Sequence, residues 1–136
     1  MAVPKLQSFV LDTTDARGLA EFYRQLLGLE YRKGDEPPPE GTPDDADWLV
    51  LLPPDGSWRL AFQQTDGVRP TTWPGDEVPQ QMHLDTSVDS VEELDRQHER
   101  ATGLGATLKF DRSDDPDEPL RVYADPAGHT LCIFVA

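Results

Sequence analysis

An internal repeat constrains this chain more than any other feature. Leu11-Asp12-Thr13 recurs as Leu84-Asp85-Thr86, and the turn Pro53-Pro54-Asp55-Gly56 recurs as Asp125-Pro126-Ala127-Gly128. Beyond those glycines, Phe62 matches Phe134. The order of local patterns repeats as well. Residues 6–13 form a β-rich run and Thr14-Asp15 offer a helix N-cap. Leu19, Phe22, Tyr23 and Leu26 then follow helical spacing, with Gly28 as the stop. A weakly marked strand is expected around 29–32, and clearer strands at 48–52 and 58–64. The second half predicts a strand over 81–88, a cap at Asp89 or Ser90, and a helix with Val91, Leu94 and Ala101 on one face, ended by Leu104-Gly105. Strands at 107–110, 120–124 and 130–135 follow. Each half thus reads β-α-β-β-β, an α+β fold of two tandem modules in a single domain, with module one at about 4–66, a linker at about 67–79 and module two at about 80–136. One apolar helix per half covers one sheet face, which leaves the opposite faces free to form a shared concave surface.

Two proline-rich breaks interrupt this order, and they hold most of the chain's 13 prolines. The run GDEPPPEGTPDD, residues 34–45, has no apolar periodicity and reads as a long mobile loop, either a lid or binding loop or a disordered one. The run at 66–80 reads as a linker between the halves. Trp73 is its one large apolar residue and is expected to pack the segment down rather than to touch a ligand.

Charge and cysteine content exclude several function classes. Lys and Arg total 12 against 26 Asp and Glu, a formal net charge of -14. Phosphate binding needs clustered Lys and Arg, so no nucleic-acid surface is expected, nor docking on an anionic membrane. The single cysteine, Cys132, rules out an intrachain disulfide and any CxxC site. No window approaches ~18 apolar residues, and MAVPKLQSFV lacks the signal-peptide pattern. A cytoplasmic protein is expected.

The segments LDTTDARGLAEFYRQLLGLE, HLDTSVDSVEEL and VYADPAGHTLCIF, in that order, resemble the vicinal oxygen chelate superfamily, which includes glyoxalase I, extradiol dioxygenases and bleomycin-resistance proteins. The resemblance covers essentially the whole chain. With WP ahead of QQMHLD, the chain resembles a glyoxalase-like subgroup. The resemblance implies a cup-shaped mixed sheet, the glyoxalase/bleomycin-resistance fold. In metal-dependent members a divalent ion sits in that cup, held by His, Gln or Glu on the first and last strands of each module. Carried onto this sequence, those positions fall on Ser8, Gln63, His83 and Cys132. His83 is a strong ligand and Gln63 a weak oxygen ligand, whereas a Ser hydroxyl is poor and Cys is soft. The usual family metal is therefore not expected. If one is present (Zn, Ni, Mn or Fe), His83 and Gln63 are its expected ligands.

Strand alternation assigns side chains to faces. If His83 faces the cup, so do Asp85 and Ser87, with Leu84 and Thr86 toward the helix. Likewise Ser8, Val10 and Asp12 share a face, with Phe9 and Leu11 packing inward. Thr130, Cys132 and Phe134 are expected in the cup and Leu131 and Ile133 under the helix. Leu60 and Phe62 belong to the core, leaving Arg59, Ala61 and Gln63 for the cup. His83-x-Asp85 could be part of a metal site or a base oriented by a carboxylate, and His83 is the candidate catalytic residue. The competing reading places Asp12 and Asp85 at equivalent strand ends, bonding backbone amides. His98 is expected to be solvated and His129 to cap a turn. Cys132 is expected to be a small buried apolar group.

The expected ligand-contacting set is Ser8, Trp48, Gln63, His83, Asp85 and Cys132. The function expected is small-molecule binding of the bleomycin-resistance type. Binding members generally act as homodimers in which acidic groups and aromatics grip a cationic drug, and the charge, Trp48, Trp58, Trp73 and the 34–45 loop fit that picture. The alternative is a metal-dependent lyase, isomerase or dioxygenase acting on a vicinal-dioxygen substrate.

Overall fold

The computed structural model describes residues 2–136 and divides into two compact units, residues 1–68 and 69–136. The first unit runs β1 (Phe9–Thr13), α1 (Ala16–Leu27), β2 (Glu30–Tyr31), β3 (Trp48–Leu52) and β4 (Leu60–Gln64). The second runs β5 (His83–Val88), α2 (Val91–Gly103), β6 (Thr107–Arg112), β7 (Leu120–Ala124) and β8 (Thr130–Val135). Each unit is βαβββ with one four-stranded mixed sheet, ordered β1-β4-β3-β2 and β5-β8-β7-β6. In both, the first and last strands are parallel and the remaining pairs antiparallel. The repeat read from the sequence is therefore a repeat of topology. Among the described residues no helix is long and apolar enough to cross a membrane.

In the first unit α1 forms because its apolar residues recur at helical spacing and both ends are capped. Asp15 accepts from the Gly18 amide, and Gly28 takes the left-handed conformation, φ 66°, that ends the helix without a Cβ penalty. Leu19, Phe22, Tyr23 and Leu26 are buried against the sheet, where the Tyr23 ring stacks on Phe62 at 6.0 Å and meets Phe22 edge-on at 4.9 Å. Phe9, expected inside, stays 42% exposed. The 34–45 loop, expected to be mobile, is tied to α1 near both ends by one side chain. Arg17 donates to the Asp35 carbonyl at 2.7 Å and pairs with the Asp44 carboxylate at 2.6 Å. This contact spans 27 residues and carries no local periodicity, so the sequence does not announce it.

The second unit docks its helix differently. Only Leu94 and Ala101 of α2 are buried, and Val91, expected on that face, is 41% exposed. Polar contacts supply the rest. His98, expected in solvent, packs on the buried Tyr123, with its Nδ1 2.8 Å from the phenol oxygen. Arg121 reaches from β7 to the Leu94 carbonyl and to Asp95.

Two identities in the repeat are out of structural register. β1 ends at Thr13 and β5 at Val88, each two residues before its cap, Asp15 and Ser90. Leu-Asp-Thr therefore closes β1 but sits inside β5, so Asp12 lies at a strand end and Asp85 does not. The reading of the two aspartates as equivalent strand-end residues is corrected for Asp85. Phe62 and Phe134 also differ. Phe62 stacks on Tyr23 of α1, whereas Phe134 lines the face of its sheet away from the helix. The hairpin after Gly56 is longer than that after Gly128, and an odd shift in register moves a side chain to the other face.

Candidate functional site

The second unit carries a pocket of about 350 Å³, at the small end of the range for small-molecule sites. Its floor is the helix-free face of the sheet, and register explains its composition. Asp85 on β5 pairs with Cys132 on β8, Cys132 with Val122 on β7, and Val122 with Phe110 on β6. These four side chains form one row across the sheet. His83 and Thr130 lie on one side of that row, and Phe134, Leu120 and Arg112 on the other. Neighbouring strands are ~4.8 Å apart, so the row spans roughly 14 Å of backbone.

An irregularity in β6 aims two of these residues. Pairing shifts between Leu108, opposite Tyr123, and Phe110, opposite Val122. Lys109 is the extra residue. Tyr123 belongs to the helix side and Val122 to the pocket side, so the bulge turns Phe110 and Arg112 into the pocket while Asp111 faces the helix side with Arg121.

The wall comes from the segment expected to be a linker. Residues from 69 onward belong to the second unit. Thr71 Oγ1 donates to the Val78 carbonyl at 2.7 Å, and the Val78 amide donates to Thr72 Oγ1 at 2.9 Å, which closes a compact loop. That loop holds Trp73 edge-on to Phe110, ring centroids 6.1 Å apart. Trp73 does pack the segment down, and it also lines the pocket. Gln80 and Glu118 complete the lining.

Of the residues singled out in the sequence, His83, Asp85 and Cys132 come together in this pocket. His83 Nε2 is 3.3 Å from Asp85 Oδ1. Gln63 and Trp48 are cross-strand partners on β4 and β3 of the first unit, and Asp12 is the parallel partner of Gln63. Both Trp48 and Gln63 are exposed, while Ser8 immediately precedes β1 and is half-buried. Gln64, not singled out, is structural. Its side-chain oxygen accepts from the Ala16 amide and its side-chain nitrogen donates to the Thr14 carbonyl, tying β4 to the start of α1. Gln80, Phe110, Arg112 and Glu118 were not readable as site residues, and Trp73 was named only among the tryptophans that fit the binding picture. Their signals are a bulge and a structured linker, neither of which has a periodic signature.

The electrostatics of the pocket are lopsided. Arg112 is engaged by Glu118 at 2.7 Å and by Asp115 at 3.7 Å. Asp85 has only His83 at ion-pair distance among the described residues. Burial, reinforced by Asp85 and Glu118, pushes the Cys132 thiol up to about 11, and the opposing influence of Arg112 is smaller. A thiol in that range is protonated at neutral pH and is neither a nucleophile nor a soft anionic ligand there. Alkylation by iodoacetamide should therefore be slow at pH 8 and should rise along a single titration centred near 11; a rate that saturates by about pH 9, as for a free thiol, overturns this reading.

The sequence profile of the Glyoxalase-like domain family matches residues 8–134. The chain belongs to that family. A sequence search among curated proteins finds no match. Several solved structures share the fold at low identity. A glyoxalase/bleomycin resistance protein/dioxygenase family enzyme from Burkholderia phytofirmans superposes with a TM-score of 0.67 at 18% identity, covering 95% of this chain and 96% of that one. The fosfomycin resistance protein FosX from Mesorhizobium loti gives 0.67 at 12% identity over 99% and 94%. A variant of FosX from Listeria monocytogenes, solved with Mn(II) and 1S,2S-dihydroxypropylphosphonic acid, gives 0.69 at 17% identity over 99% and 94%.

Proposed function

We propose that this glyoxalase-like protein binds a small organic molecule in the pocket of its second unit and does so without the divalent ion common in its superfamily. The donor chemistry of the pocket carries the reading. A divalent ion needs several deprotonated or neutral donors converging on one point. Here burial disfavours the Cys132 thiolate, and Glu118 is paired with Arg112. That leaves His83 and Asp85, which lie on alternate positions of one strand and contact each other. These residues do not fit the family metal. They do fit a binding site, because Trp73, Phe110, Leu120, Val122 and Phe134 supply apolar wall and a few polar groups supply orientation. The homodimer expected from the resemblance is carried with this proposal and is read by sedimentation.

The test is metal content and metal response of untagged protein. The expected outcome is below about 0.1 Zn, Ni, Mn or Fe per chain and no shift of melting temperature with any of them, since an ion bound only by the native state must raise it. A near-stoichiometric metal lost on His83→Ala would instead support the alternative, a metal-dependent lyase, isomerase or dioxygenase anchored on His83.

A further inference from the structure

We infer that the pocket of the second unit selects an elongated organic monocation, with an apolar or aromatic body against Trp73 and Phe110 and an ammonium or amidinium head at Asp85. This rests on the reading of that pocket as a binding site and names its ligand class. Three observations carry it. First, the row across the sheet is chemically polarised. It begins at Asp85 and passes over Cys132 and Val122 to Phe110, where Trp73 stands edge-on. A ligand lying along it meets a carboxylate at one end and an aromatic corner at the other.

Second, the charges do not cancel. The cation of Arg112 is engaged by Glu118 and Asp115, whereas Asp85, its side chain 57% exposed, has no Arg or Lys partner among the described residues. The pocket lining carries two carboxylates, Asp85 and Glu118, against one guanidinium, Arg112. Third, Gln80 Oε1 is buried without a hydrogen-bond partner. Gln80 lies three residues before His83, and its orphaned acceptor is suited to an N–H donor. Arg112 Nε, whose nearest carboxylate is Asp115 at 3.7 Å and which makes no hydrogen bond, lies on the opposite side of the row.

The experiment compares three probes of one shape: 4-phenylbutylamine, 4-phenylbutan-1-ol and 4-phenylbutyrate, titrated calorimetrically in about 0.15 M salt to suppress long-range attraction. The amine is expected to bind at least tenfold tighter than the alcohol and the carboxylate weakest. Asp85→Asn is expected to abolish the amine's advantage over the alcohol, read as the ratio of the two affinities within that variant. That variant removes one of 26 acidic residues, so loss of the advantage cannot reflect overall charge. Asp85 is exposed, so the folded state should survive, and Gln80→Ala should reduce the amine's advantage independently. Equal binding of amine and alcohol, or an unchanged preference in Asp85→Asn, overturns the ligand class while the pocket remains a binding site. Binding of none of the three at millimolar concentration overturns both readings.

Discussion

Gly128→Ala is expected to destabilise the protein by about 3 kcal/mol, whereas the matching change in the other half, Gly56→Ala, costs about 1 kcal/mol or less. The two glycines occupy the same place in the repeated turn, and both have positive φ, 68° at Gly56 and 94° at Gly128. Each donates its amide to the first residue of its turn, Gly56 to Pro53 at 2.8 Å and Gly128 to Asp125 at 2.9 Å. Their surroundings separate them. A Cβ at Gly56 meets nothing within 4 Å, so only the backbone strain is added, partly offset by the lower entropy of the unfolded chain. A Cβ at Gly128 lies 2.5 Å from Pro70 Cβ and 2.9 Å from Pro70 Cα, and a backbone atom cannot swing aside as the end of a flexible side chain can.

The consequence reaches the pocket. Pro70 begins the segment that holds Trp73 against Phe110, so displacing it moves the pocket wall. Thermal melts should show a drop on the order of 10 °C for Gly128→Ala and a few degrees for Gly56→Ala. Near-UV circular dichroism should lose Trp signal in the first variant alone. Equal melting temperatures for the two variants would show that Pro70 yields freely and that the segment is not anchored there.

The same pair of turns shows what a sequence reading can and cannot reach. The turn residues, caps and helical spacing are local signals, and they placed both βαβββ units with strand ends mostly within three residues. Face assignment held on β8, where Thr130, Cys132 and Phe134 line one face, but Phe9 on the equally regular β1 stays exposed. The other failures share a cause, in that each depends on contacts between residues far apart in the chain or on an odd number of extra residues. Identity alone could not reveal that Leu-Asp-Thr ends one strand and sits inside another, which is what leaves Asp85 in the pocket rather than at a cap. A polar side chain such as His98 reads as solvated until the helix beneath it proves too poor in apolar residues to dock otherwise.

That shortage in α2 makes Arg121 the second position of large expected effect. Arg121→Ala should cost about 2 kcal/mol, and Arg121→Met about half of that. The Arg121 side chain is 11% exposed, while its carboxylate partners Asp95 and Asp111 are 60% and 43% exposed. Partners that solvated return little Coulomb energy in water. The loss comes instead from the buried stem, which Met largely replaces, and from the fixed guanidinium, which also bonds the Leu94 carbonyl of α2 at 3.4 Å and Ser113 Oγ at 3.2 Å. The pH dependence separates these contributions. Asp111 is held down to about 2, first by its hydrogen bonds with Ser113 and only then by Arg121. A carboxylate depressed on folding stabilises the native state above its unfolded value near ~4 and loses that contribution as pH falls through the folded one. Removing Arg121 should therefore lower stability at pH 7 yet leave most of the acid-side slope between about pH 4 and 2 in place, because the Ser113 bonds remain. Urea melts at pH 7 and pH 3 decide it. If Arg121→Ala flattens the acid slope completely, the ion pair rather than the Ser113 turn governs Asp111; if Arg121→Met is as costly as Arg121→Ala, the stem contributes nothing and α2 is held by charge alone.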